Sequence, residues 1–427
     1  MTTMQSKSIA VFFLKNSIRS ILTYNDGMTL RLHNTLSDSF EEFKPIEDGK
    51  VGMYHCGPTV YNYIHIGNLR SFLLGDVLRR TLEYLNFEVK QVVNITDVGI
   101  GGNNDEGEDK ILSGLKREGK AITMESMLEL GSFYTERFKE DIATFNIKTP
   151  HVLPKASEHI AEQIELIKIL EAKGFTYKTS DGIYFDTSKD SHYGKLTRSN
   201  LVRQGSTLSR VIPIPEKRNP RDFALWKFNS NLGFPSPWSQ GFPGWHIECS
   251  AMSSKYLGKT FDIHTGGLDL APVHHNNEIA QSENACGCEF VHYWLHNEFV
   301  NVPEGKMAKS EGTGITLAEL IKAGFNPLAY RYFLLLAHYR SPVTFSWEAL
   351  TAAQNAFEKL KKFVERLDSG GTIDLAYKAK FIEKIENDLN TPQALAVVWT
   401  LVKDKDVLPN NKLATLLDFD KVLGLGL

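Results

Sequence analysis

One stretch constrains the fold more than any other. Val51-Gly52-Met53-Tyr54-His55-Cys56 reads as a short buried strand, closed by the turn signal Gly57-Pro58. Leu69, Phe72, Leu73 and Val77 then recur at helical spacing and mark one apolar face. Phe87 to Ile95, carrying Val89, Val92 and Val93, reads as a second strand. Strands joined by a helix rather than by a tight turn run parallel, and a parallel sheet has to be covered on both faces. The fold class is therefore α/β.

The chain is long enough to elaborate that unit, since 427 residues at roughly 100–200 per domain allow two to four domains. A polar, glycine- and acid-rich loop runs from Gly101 to Asp109, and helical spacing dominates from Ser113 to Leu170. Residues 175–240 are richer in Gly, Pro and Ser, with strand-like pieces such as Ile183-Tyr184-Phe185, and read as an insertion between two halves of the sheet. An aromatic and histidine-rich block follows from Gly244 to Val302. Thr316 and Glu319 form a capping box, and Ser346 caps a long helix with Trp347, Leu350, Ala353, Phe357, Leu360, Val364 and Leu367 on one face, stopped at Gly370-Gly371. The expected organisation is an extension over 1–27, an α/β domain over 28–324 with an insertion near 113–240, and a helical bundle over 325–427.

Residues 1–25 contain Lys7, Lys15 and Arg19 but no acid, which fits either an organellar transit peptide or an extension from a start codon upstream of Met28. With 48 basic against 51 acidic residues, the net charge of −3 excludes indiscriminate nucleic-acid binding and leaves room for a local basic face. No apolar run is long enough to predict a spanning helix. Four cysteines, Cys56, Cys249, Cys286 and Cys288, are too few for a disulfide scaffold and read as reduced thiols, some of them on a metal.

Three groups of residues carry chemistry. His65-Ile66-Gly67-Asn68 lies at the start of the predicted helix, where a glycine admits close approach and a helix N-terminus favours phosphate. Lys306-Met307-Ala308-Lys309-Ser310, flanked by Gly305 and Gly312, suits a clamp whose ammonium charges meet a departing pyrophosphate. Cys56, Cys249, His274 and Glu278 offer two sulfurs, an imidazole and a carboxylate, the last two on one face of a predicted helix. Soft sulfur with imidazole selects zinc, although spacing alone does not join Cys56 to Cys249, and buried, unligated cysteines fit the sequence equally well.

Taken in order, the first two motifs resemble the paired HIGH and KMSKS signatures of class I aminoacyl-tRNA synthetases. Met53 to Arg70, Gly244 to Ser250, Asp262 to Ser282 and Lys306 to Ser310 together resemble the cysteinyl-tRNA synthetase family. The resemblance implies a Rossmann-like parallel-sheet catalytic domain split by an insertion, and then an α-helical bundle of the kind that contacts a tRNA stem. It implies that Cys56, Cys249, His274 and Glu278 bind one zinc ion, which takes the substrate thiol and makes an editing domain unnecessary. It implies further that His65, Asn68, Lys306 and Lys309 are catalytic, that Gly67, Asn68 and Lys309 meet ATP, and that Thr96, Trp245, His264 and Asp269 line the amino-acid pocket. The implied partners are L-cysteine, ATP with Mg2+ and tRNA(Cys), in a cytoplasmic monomer with no membrane contact.

The chain departs from the family pattern at Asn68, at Ala308, after Asp97 and at Pro272-Val273, and it ends where family members usually continue into an anticodon-binding domain. Two other readings fit those departures: a ligase joining cysteine to an amino sugar in thiol biosynthesis, and a non-catalytic paralogue that binds tRNA or senses cysteine. Cys286 and Cys288 fall outside the ligand set and read as structural.

Overall fold

The computed structural model describes residues 29–99, 110–198, 216–302, 305–306 and 314–427. The extension at 1–27, the loop from Gly101 to Asp109 and the residues Met307 to Ser310 lie outside that set.

A hairpin of β1 (Arg31–Asn34) and β2 (Ser39–Glu42) opens the described chain. The predicted unit follows as β3 (Lys50–His55), α1 (Ile66–Tyr84) and β4 (Glu88–Val93), with β3 and β4 parallel and Val51 opposite Val89. Leu69, Phe72, Leu73 and Val77 of α1 are all buried, as their spacing requires. Next come α2 (Lys110–Arg117), α3 (Met124–Thr144) and α4 (Ile160–Ala172), and then an antiparallel sheet of β5 (Thr176–Lys178), β6 (Gly182–Phe185), β7 (Phe223–Phe228) and β8 (Gly241–Pro243). This sheet has its own core, in which Ile167 and Leu170 of α4 meet Ile183, Phe185, Phe223 and Trp226.

After that excursion the chain returns to the parallel sheet through α5 (Trp245–Leu257), β9 (Phe261–Gly267), α6 (Asn276–Cys286) and β10 (Val291–Asn297). The strand order is β10-β9-β3-β4, all parallel, so β9 comes to lie against β3 with Met53 opposite Ile263. At such a switch between two halves the loops leave the carboxyl ends of the central strands in opposite directions and open a crevice, which is where ligands bind in open α/β sheets. The central strand β9 is buried from Phe261 to Gly266 although it contains Asp262, His264 and Thr265. Polar residues are costly there unless they are partnered, and the partners define the site described below.

A small sheet joins β11 (Val300–Val302), β12 (Gly305–Lys306) and β13 (Val343–Thr344). The helical part comprises α7 (Leu317–Lys322), α8 (Pro327–Leu335), α9 (Trp347–Val364), α10 (Leu375–Glu386), α11 (Thr391–Lys403) and α12 (Pro409–Leu423). The block expected to be purely helical thus also lends β13 to β11, because the segment after α8 turns back to the sheet. The long helix is shorter than its pattern predicts. It ends at Val364, and Trp347 is 41% exposed because it stacks on Phe325 instead of entering the core. The Ser346 hydroxyl accepts from the Ala349 N–H at 3.2 Å, so Ser346→Ala should cost about 1 kcal/mol in chemical denaturation. No loss at all would show that the cap is already satisfied by solvent.

The bundle and the sheet share one apolar core, which includes Met53, Leu73, Val77, Ile263, Leu334, Leu395 and Phe419. Arg331 of α8 is fully buried and donates to Asp76 of α1, to the carbonyls of Phe145 and Asn146, and to Leu423 O at 2.8 Å. Arg80 closes the network on Asp76 at 2.7 Å. Among the described residues no helix is long and apolar enough to cross a membrane.

Candidate active site

The carboxyl end of β3 delivers Cys56, whose N–H donates to Thr265 O of β9 at 3.3 Å. Cys249 sits one turn into α5, on the same face as Trp245. His274 lies in a π-helical turn, Ala271–His275, that runs straight into α6, and Glu278 follows on the next turn. Helical spacing therefore makes the pair meet, with His274 Nε2 3.0 Å from Glu278 Oε1. The sheet order does the rest: donor atoms of Cys56, Cys249, His274 and Glu278 all lie within 4.8 Å of one another and are almost wholly buried.

The electrostatics of this cluster follow from its burial. Burial alone would push the Cys249 thiol up, but hydrogen bonds from Cys56 and His274 and the charge on His274 outweigh it and bring the thiol down to about 6. Cys56 moves the other way, since burial and then the neighbouring Cys249 and Glu278 push it well above the ordinary thiol range. Burial opposes the charge on Glu278, yet His264 and His274 hold its carboxyl at about 2. For His274 burial favours the neutral ring, and the charges of Cys249 and Glu278 reverse that and raise it to about 10. Cys249 and Glu278 thus favour their charged forms beside one imidazolium, and Cys56 keeps its proton and adds no third negative charge. A divalent cation of soft preference fits this donor set, because it would offset two of the three negative charges of two thiolates and a carboxylate in a buried site.

Buried histidines surround the four donors. His246 Nδ1 meets His274 Nδ1 at 2.8 Å, which fixes the ring that faces Glu278. His264 Nε2 meets Glu278 Oε2 at 2.9 Å and stacks on Trp294 with ring centroids 4.4 Å apart. His275 contacts Cys56 Sγ at 3.3 Å and passes its other nitrogen to His296 at 2.7 Å. A second overlapping donor set, Cys56, His264, His275 and Glu278, is thereby formed. The glycines after His264 make room for this shell: a Cβ at Gly266 would lie 2.7 Å from the His275 ring, and one at Gly267 would lie 2.4 Å from Asp269 Oδ1.

The other sequence-derived residues fall in two places. Trp245 is half-buried at the rim, its ring 4.2 Å from that of His274, with the Lys110 ammonium 5.5 Å from the indole centroid. Thr96 lies deeper and donates to Glu248 Oε2 at 2.7 Å, while Asp269 is exposed in the 3-10 turn Leu268–Leu270 after β9. His264 faces Glu278 from behind and is fully buried, away from any open surface. Glu248 is a further buried acid at the site that the motifs do not mark. Its signal was an acid between Ile247 and Cys249 in a buried helical run, and burial pushes its carboxyl well above the usual range.

At the start of α1, His65 and Asn68 close on each other. Asn68 N–H donates to His65 Nδ1 at 3.3 Å, and His65 N–H donates to Asn68 Oδ1 at 3.1 Å. Asn68, which the sequence suggested as a phosphate ligand, spends its carbonyl on this capping box. With Nδ1 accepting, the neutral His65 ring carries its proton on Nε2. Ile66 N–H donates to Ile315 O at 2.7 Å, so the segment leaving the lysine motif is joined to the histidine motif. Lys306 is placed by its backbone at the end of β12, opposite Asn301; Lys309 lies outside the described residues. The expectation that all four cysteines are reduced is corrected, because Cys286 and Cys288 are joined as a disulfide and only Cys56 and Cys249 are free.

Comparison with known proteins places this geometry. The family model of the class I (C) tRNA synthetase catalytic domain matches residues 42–355, and a DALR domain model matches residues 380–427. Among solved structures, Mycobacterium tuberculosis methionyl-tRNA synthetase in complex with methionyl-adenylate has the same fold, with a TM-score of 0.59 at 13% identity over 88% of this chain and 90% of that one. The chain therefore has the catalytic fold of the class I aminoacyl-tRNA synthetases. Curated relatives narrow the class: the cysteine–tRNA ligase of Treponema denticola is 45% identical over 94% of this chain and 87% of its own, and cysteine–tRNA ligase 1 of Burkholderia lata is 47% identical over 94% and 85%. The chain belongs to the cysteine–tRNA ligase family.

Proposed function

We propose that this enzyme activates L-cysteine with ATP and transfers the cysteinyl group to the 3′ end of tRNA(Cys). The observation that carries the reading is the buried cluster of Cys56, Cys249, His274 and Glu278 at the carboxyl ends of β3 and β9, in a chain of this family. These four residues would hold zinc, which when bound supplies a soft Lewis acid that takes the thiol of cysteine and not the hydroxyl of serine. Trp245 at the rim, with Thr96 and Asp269, would position the amino acid so that its carboxylate points toward the start of α1.

There the positive end of α1 and the Nε2 proton of His65 would hold the phosphates, with Gly67 allowing their close approach. The cysteine carboxylate attacks the α-phosphorus, the bond to the bridging oxygen breaks, and pyrophosphate leaves, its charge met by Lys306 and Lys309; Mg2+ would accompany the ATP. A terminal ribose hydroxyl of the tRNA then displaces AMP. Positioning and charge carry both steps, and no covalent enzyme intermediate is needed. In this reading the catalytic domain spans 28–324 and the bundle 325–427 meets the tRNA stem, in a cytoplasmic monomer.

Cysteine-dependent ATP–pyrophosphate exchange tests the proposal. Cysteine should support exchange by roughly 10^4-fold over serine, the scale on which a buried polar partner is left unmatched, and a chelator should remove the activity. Zinc-replete protein without exchange would sink the reading in favour of a non-catalytic paralogue. Ligation to an amino sugar in place of tRNA charging would replace the second half-reaction.

A further inference from the structure

We propose that Cys286 and Cys288 form a reversible dithiol–disulfide couple, a modification site separate from the metal cluster and open to small-molecule disulfides of the glutathione class. Cys286 is the last residue of α6, Gly287 caps the helix, and Cys288 starts the turn toward β10. Their Cα atoms are 5.3 Å apart, within bridging range. The closure depends on Gly287, whose φ of +74° is a left-handed conformation that residues with a Cβ rarely adopt. The Cys288 N–H also points back at Cys286 Sγ, 2.9 Å away, so the turn holds the two sulfurs together through the backbone.

A bridge around a single residue closes a very short loop and so constrains the unfolded chain little. Stabilisation is therefore a poor account of the pair, and reversible chemistry is what it offers. Access separates it from the other two cysteines. Cys288 lines an open pocket with Asp190, His192, Lys195, Glu283 and Glu289, whereas Cys56 is 9% and Cys249 2% exposed. A disulfide in solution reaches the first pair and not the second.

One thiolate of the pair attacks a sulfur of oxidised glutathione and releases one glutathione thiolate, leaving a mixed disulfide. The second cysteine thiolate attacks the protein sulfur of that mixed disulfide and releases the other glutathione. One S–S bond is broken and one formed, the pair loses two electrons and two protons, and two glutathione thiols take them up.

The full chain would be equilibrated in glutathione buffers of graded ratio, quenched in acid, alkylated, digested and read by mass spectrometry. The peptide holding Cys286 and Cys288 should lose both alkylation sites and two hydrogens as the buffer becomes oxidising, and regain them with dithiothreitol. Alkylation of Cys56 and Cys249 after denaturation should not change in the same samples. Cys288→Ser should instead stop at a stable glutathione adduct on Cys286, with its metal content and exchange activity unaltered. Two alkylated cysteines in the most oxidising buffer would overturn the couple, as would adducts without an internal bridge. Because metal content is read separately, failure here is distinguishable from failure of the proposed function.

Discussion

Cys249→Ser is expected to lose the zinc proposed for the buried cluster and the cysteine-dependent exchange activity together, with activity falling by at least about 100-fold. The site explains why the loss should be so complete. Cys249 is the sulfur that the cluster drives toward the thiolate, at about 6, while Cys56 is pushed up and keeps its proton. A serine hydroxyl in that place stays protonated and is a poor ligand for a soft ion. ATP binding, proposed above for the start of α1, should survive, since His65 and Asn68 close on each other there without help from the cluster. Metal analysis and equilibrium dialysis with nucleotide separate the two effects. A full complement of metal in the variant would remove Cys249 from the site, and joint loss of metal and ATP binding would mean that the fold, and not the ligand, had been damaged.

Asp76→Asn should cost about 3–5 kcal/mol of stability, the penalty for leaving a buried charge without its partner. Arg331 is fully buried, and Asp76 is its carboxylate partner. The variant would strand that guanidinium among the carbonyls of Phe145, Asn146 and Leu423, at the joint between α1 and the bundle. The pH dependence has a definite sign. Burial raises the Asp76 carboxyl, but Arg331 and then Arg80 outweigh it and hold it below its ordinary value. Its contribution is therefore complete above the usual carboxylate range and is lost as pH falls through the depressed folded-state value. Urea denaturation of wild type and variant should differ by the full amount near neutrality and converge in acid. Replacing both residues by apolar ones of similar volume should cost less than Asp76→Asn alone. Equal stability of wild type and Asp76→Asn at neutral pH would show that the network is not what joins the two parts.

Much of the framework was legible because it is written in local order. The apolar period of Leu69, Phe72, Leu73 and Val77 placed α1, and the runs around it placed β3 and β4 to within a residue or two. The Thr316–Glu319 capping box was readable for the same reason, since its partners are three residues apart. The pattern on α9 overreached because periodicity continues past the point where packing ends. Leu367 keeps the helical spacing, but the helix has already stopped at Val364. At the site, the residue types announced the chemistry, and the i, i+4 spacing of His274 and Glu278 announced their contact.

By itself, then, the sequence determined a parallel sheet, the helices that cover it and a set of donors of the right softness for zinc. The family resemblance implied that Cys56 and Cys249 share one cluster, but no local pattern joins them, and only the tertiary structure brings them together, because that depends on β9 pairing with β3 across a long excursion of the chain. It also decided that His246, His264 and His275 stand against the four donors, that Asn68 turns inward to cap α1, and that Cys286 and Cys288 close on each other. The physical reason is common to all of these. Periodicity reports which side of an element is buried, whereas the partner found there is set by strand order and by how loops turn at the ends of the sheet.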